Sequence, residues 1–188
     1  MLRKNLIVLM VTLALIFMVK APVVLGQCNS LELETEFNGS TATPQLNLYA
    51  EKMLTLQFGL FGFSVSSEAW SQAYAGPIYK PNAWLAVSVG YGIEADDNPG
   101  RLGSCVLVIT NRFSLCGVYE YGGSGNWYKG IAICQVTKAL GLGAMDQKFL
   151  DLGPRVELTV WKMKVWSAAF WPEPDNKLIS HVGLSFNF

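Results

Sequence analysis

The chain has 188 residues, 51% of them hydrophobic and only 15% charged, with 18 glycines, six tryptophans and a mean hydropathy of +0.29. Fourteen basic residues balance fourteen acidic ones, and the absence of any basic cluster able to neutralise phosphates argues against a nucleic-acid partner. A single histidine, no CxxC pair, no glycine-rich phosphate loop and no nucleophile elbow leave no expected metal or cofactor.

Residues 1–26 read as a secretory signal peptide. Arg3 and Lys4 precede the apolar run Leu6 to Val19, and APVVLG supplies the small-residue exit. A permanent membrane anchor is the competing reading, although about 14 apolar residues fall short of the ~20 that a spanning helix needs. A lipoprotein site at Cys28 is disfavoured by Gln27, which stands where such a site wants a small residue. Cleavage after Gly26 removes Arg3, Lys4 and Lys20, so the mature chain carries a formal charge of −3. Export also places Cys28, Cys105, Cys116 and Cys134 where disulfides persist.

Residues 27–53 form an N-terminal segment with room for one or two strands, the first being LELETEF, in which apolar side chains alternate with glutamates. Residues 54–188 are the expected barrel domain. A strand runs from Leu54 to about Ser66, a second covers residues 68–78, and YKPN makes a turn. Residues 83–95 alternate most clearly, with Leu85, Val87, Val89, Tyr91 and Ile93 on one face and Ala86, Ser88, Gly90, Gly92 and Glu94 on the other. Further strands follow at Leu102 to Ile109, Phe113 to Tyr121, WYKGIAICQV and ALGLGAMDQ. From Arg155 onward the apolar phase flips at Trp161, which demands a turn or bulge near Trp161 to Lys162. The chain ends on KLISHVGLSFNF, where Val182, Leu184, Phe186 and Phe188 alternate with His181, Gly183, Ser185 and Asn187.

This pattern predicts an all-β, antiparallel, up-and-down transmembrane β-barrel of about ten strands, within a range of eight to twelve. Connections near 79–82, 110–112, 137–138 and 161–162 are short. Those near 65–70, 95–101, 122–126, 147–153 and 172–176 are longer, so the long ones fall at one end. The polar faces are rich in small residues, as a crowded lumen requires. Aromatics (Tyr79, Trp84, Trp127, Tyr128, Trp171, Phe186, Phe188) sit near strand ends, and charges including Asp96, Asp97, Arg101, Asp146, Lys148, Asp151, Glu173, Asp175 and Lys177 gather in loops. A secreted soluble barrel binding a small apolar ligand is the alternative, since alternation alone does not tell inside from outside.

The terminal strand resembles the C-terminal assembly signal of small bacterial outer-membrane β-barrel proteins, through His181, Gly183, Phe186 and the final Phe188. The resemblance implies an outer-membrane location, outer-membrane lipid and the barrel-assembly machinery as partners, and a structural or narrow-channel role more readily than an enzymatic one. An enzyme acting on lipid or peptide through His181 is the other possibility. Ser180 points to the opposite face, and Ser185 lies roughly 13 Å along the strand, so neither serves as its partner. Glu157 or Glu94 from other strands remain candidates. Glu94, Arg155 and Glu157, with Glu120 and Lys129, are expected lumen charges, paired structurally or lining a selective pore. Cys105 and Cys116 lie almost opposite each other on a hairpin, with Cys134 near the same height on the next strand. A Cys105–Cys116 disulfide and free buried thiols are both open.

Overall fold

The computed structural model describes residues 29–175 and 177–188, so the expected signal peptide, its cleavage point and Cys28 lie outside the described residues. Twelve antiparallel strands close on themselves: β1 (Ser30–Asn38), β2 (Thr41–Met53), β3 (Phe58–Ser67), β4 (Ser71–Asn82), β5 (Leu85–Glu94), β6 (Gly100–Ile109), β7 (Phe113–Gly122), β8 (Gly125–Gln135), β9 (Leu140–Gln147), β10 (Asp151–Val160), β11 (Met163–Phe170) and β12 (Ile179–Asn187). Each strand pairs with its sequence neighbour, and β12 returns to β1, with Leu33 opposite Leu184 and Glu36 opposite His181. Closure leaves no unpaired strand edge, which a sheet immersed in hydrocarbon requires.

The count is twelve rather than ten because residues 27–53 belong to the barrel. LELETEF is β1, and the loop expected at NGSTATP is the two-residue turn Gly39–Ser40 followed directly by β2. The barrel therefore begins at Ser30, not at residue 54. The alternation at Leu54 and Leu56 proved misleading: both are exposed turn residues, and β3 starts only at Phe58. The flip of phase near Trp161 is a two-residue turn, with Trp161 in the left-handed region at φ 57°.

The first and last described residues meet at one end of the barrel, hereafter the terminal end, where the Phe188 amide donates to the Asn29 carbonyl. Turns 54–57, 83–84, 110–112, 136–139 and 161–162 share that end. Turns 39–40, 68–70, 95–99, 123–124, 148–150 and 171–178 lie at the other. The expected contrast in loop length is weak. The strands extend into the supposed long loops, so that 122–126 shrinks to a hairpin turn at Gly123–Ser124 and only 171–178 is long. A contrast in charge takes its place. Turns at the terminal end carry Arg112, Lys138 and Lys162 and no carboxylate, whereas those at the far end carry Glu68, Asp96, Asp97, Glu173 and Asp175 against Lys148 and Lys177.

The outer surface is apolar. Val87, Val89, Tyr91, Leu102, Leu142, Val156, Val165, Val182 and Leu184 are all exposed, while Ala86, Ser88, Glu157, His181 and Ser185, their neighbours in sequence, are buried. A soluble barrel would have these faces exchanged. Rings mark both margins of the apolar belt: Phe58, Tyr79, Trp84, Trp161 and Phe188 near the terminal end, Tyr121, Tyr128 and Trp171 near the other. Trp127, expected in this belt, instead lines the interior beside Asn126.

Candidate functional site: the lumen

Alternation along β1 decides the character of the lumen. Leu31, Leu33 and Phe37 point outward, so Glu32, Glu34 and Glu36 project inward as an acidic row. On β12 the same parity sends His181, Gly183 and Ser185 in to meet them. His181 is buried, with Nδ1 2.7 Å from Glu34 Oε1 and Nε2 3.2 Å from Glu36 Oε2, and Phe170 packs edge-on against its ring. Its partners are thus the β1 glutamates, not Glu157 or Glu94 as the sequence left open. From β8, Lys129 reaches across the barrel to Glu34 at 3.1 Å and struts the lumen.

Gly183 has a packing role beyond the assembly signal. It sits opposite Trp166 of β11, whose indole lies over it so closely that a Cβ at 183 would strike the ring. Passing over this bare backbone, Trp166 Nε1 donates to Glu32 Oε2 at 2.9 Å, and the Ser185 hydroxyl donates to the same oxygen. Arg155 stacks on the other part of the assembly, its guanidinium carbon 3.7 Å from the Trp166 ring centroid.

Besides a Lys80–Glu51 ion pair, the remaining lumen charges form two networks. Arg155 and Glu157 pair with each other at 2.9 Å, and the Lys164 ammonium lies 2.7 Å from the other Glu157 oxygen as an ion pair. Glu94 joins Arg101 at 2.6 Å, and the same guanidinium binds Glu120 at 2.8 Å. Arg101 was expected in a loop; it lies in β6, 2% exposed, because β6 begins at Gly100, inside the region read as a loop. Gln72 Nε2 and the Tyr74 hydroxyl also donate to Glu120. Buried charges need such partners, since an uncompensated one costs several kcal/mol or neutralises, by the order-of-magnitude desolvation argument.

Cys105 and Cys116 both line the interior and are free thiols within hydrogen-bonding reach of each other. They are not directly opposite: Cys105 faces Val118, and Cys116 faces Leu107, a diagonal offset of two residues. Cys134 faces outward opposite Phe113 and does not join them.

The lumen has a packed half and an open half. Met145, Trp166, Ala168, Phe170 and Ile179, carried mainly by β9 to β12, pack into an apolar cluster. The other side holds a cavity of about 650 Å³. Its lining extends from Thr43, Asn126 and Phe149 near the far end to Ile78, Ala86 and Leu107 toward the terminal end. So the interior is not filled by side chains as a narrower barrel's would be.

Sequence reasoning missed Glu32, Glu34, Glu36 and Glu51 as lumen residues because their segment, given room for one or two strands, was not assigned a place in the barrel. The alternation of LELETEF was visible, and the need of the last strand for a closing partner was the signal that could have placed it.

The backbone of this inverted barrel can be compared with solved structures. It superposes on the KdgM porin in complex with disordered oligogalacturonate with a TM-score of 0.61 at 14% identity, covering 85% of this chain and 99% of that one. The chain has the fold of outer-membrane porins. The NanC porin matches with a TM-score of 0.53 at 11% identity, over 84% of this chain and 100% of that one. Outer membrane phospholipase A from Escherichia coli gives 0.53 at 9% identity, over 85% and 95%. No family model matches the chain. No curated protein matches it. At these identities the likeness concerns the fold.

Proposed function

We propose that the protein is a small outer-membrane barrel whose lumen serves as a narrow channel. One observation carries this reading: a closed twelve-stranded barrel wears its apolar side chains outside and keeps a charged cavity of about 650 Å³ within. Porin-fold neighbours support it. In this reading residues 1–26 direct export and are removed, the barrel-assembly machinery recognises β12 through His181, Gly183, Phe186 and Phe188, and outer-membrane lipid surrounds the belt.

Catalysis through His181 finds no such support. Both ring nitrogens are committed to carboxylates of β1, and the Ser185 hydroxyl donates to Glu32 instead. A general base needs a free nitrogen within reach of a nucleophile or substrate.

The test is refolding of the mature chain into detergent followed by reconstitution in planar bilayers. Folded protein should migrate faster unheated than boiled on a denaturing gel and should produce discrete conductance steps. A folded, membrane-inserted barrel that passes no current would reduce the role to a structural one.

A further inference from the structure

The cavity has two unlike walls. One, from β1 and β2, presents Glu32, Glu34, Glu36 and Glu51; the other starts on the adjoining β3, where Phe61 lies directly beside Glu51, and is built from rings and aliphatic chains, among them Phe61, Phe63, Tyr74 and Ile131. Its volume is that of an ordinary small-molecule site, roughly 300–1,000 Å³.

Its charge is not balanced from within. Among the described residues, Glu32, Glu34, Glu36, Glu94 and Glu120 share two permanent cations, Arg101 and Lys129. One guanidinium serves both Glu94 and Glu120. Among the described residues, Glu32 accepts from Trp166, Ser185 and Asn47, none of them charged, and Glu36 meets the His181 ring. The spare cation of the Arg155–Glu157–Lys164 network is spent on the packed side, where Arg155 stacks on Trp166.

A second observation is independent of this acidic row. Gln72 lines the cavity from β4, is 2% exposed, and spends its amide nitrogen on Glu120, leaving Oε1 without a hydrogen-bond partner. A buried acceptor left empty is costly, and an occupant's donor would satisfy it once the Gln72 side chain turns Oε1 toward the cavity. Rings in this lumen already take cations: Arg101 lies 5.4 Å from the Trp70 centroid and Lys129 5.6 Å from Trp166. Surplus carboxylates, an unmatched acceptor and an aromatic wall together suit an ammonium group on an apolar body. They repel a polyanion such as the oligogalacturonate bound by the KdgM porin.

We propose that the cavity binds organic ammonium ions carrying an apolar body, which enter from the acidic end. The proposal rests on the lumen being open to solvent, as the channel reading requires, but not on passage through it.

The test uses three isosteric probes on the refolded mature barrel in detergent: 2-phenylethylammonium, neutral 2-phenylethanol and anionic phenylacetate. Calorimetric titration should show saturable binding of the ammonium ion at least tenfold tighter than of phenylacetate. Glu36→Gln, at the more exposed end of the acidic row, should weaken it severalfold, and Glu32→Gln with Glu36→Gln by tenfold or more, in protein that keeps its heat-modifiable mobility. Should the double variant fail to fold, Glu36→Gln alone and the charge series on the unaltered barrel still decide. Equal binding of cation and anion, no saturable binding of the cation, or a folded Glu36→Gln variant with unchanged affinity would each overturn the proposal. Conductance without cation preference sinks this inference and spares the channel; cation binding without conductance does the reverse.

Discussion

Gly183 shows how one missing side chain organises its neighbourhood. Only a bare backbone lets the Trp166 indole cross β12 and reach Glu32 on β1, tying three strands around the closing seam. Adding a methyl group there forces the ring out of place, and overpacking of this kind costs about 1–3 kcal/mol. Gly183→Ala should lower the urea midpoint of the refolded barrel accordingly. Gly117→Ala, with open space around its Cβ, should leave it within error. The glycine was visible in the sequence as part of a C-terminal pattern. Its reason was not, because Trp166 lies 17 positions upstream and only the β11–β12 register sets it opposite.

At the level of strands, the two-residue period did most of the work, and its failures share a cause. Where alternation ran unbroken, as in Leu85–Glu94 and Ile179–Asn187, faces and limits were legible from the residues. It misled at Leu54 and Leu56, because a four-residue turn also tolerates alternating leucines; at β1 the alternation was read as a strand, but without a closing partner its glutamates had no assigned face. The cysteines depended on a register that turn length controls. A diagonal pair lies roughly 7–8 Å apart between Cα atoms, beyond the roughly 6.8 Å limit of a relaxed disulfide. We therefore expect Cys105→Ser to lower the count of alkylatable thiols in denatured, unreduced protein by one. A native bridge would instead leave Cys116 newly reactive and the count raised. Outer positions give a complementary expectation. Val89, mid-strand in β5 and exposed, should tolerate Leu, whereas Val89→Arg should cost about 2–4 kcal/mol in lipid vesicles if it sits at the bilayer midplane. Refolding yield against urea measures both.

For the molecule as a whole, an inside-out distribution of apolar side chains was readable in advance, because alternation plus small polar-face residues admits few closed solutions. The division of the lumen was not, since it depends on which long side chains cross the barrel, as Lys129 does to reach Glu34. Removing this strut with Lys129→Met should leave Glu34 held by His181 and widen the bore, read as a larger single-channel conductance in protein that still shows heat-modifiable mobility.

The two rims of turns differ in sign, with Arg112, Lys138 and Lys162 at the terminal end and an acidic majority at the other. Ions approaching from opposite compartments therefore meet unlike entrances, and the barrel should behave as a weak diode. Under symmetric salt, its current–voltage curve should bend at low ionic strength and straighten near 1 M, where the Debye length shrinks to about 3 Å. The direction of the bend then reports which way round the molecule has inserted.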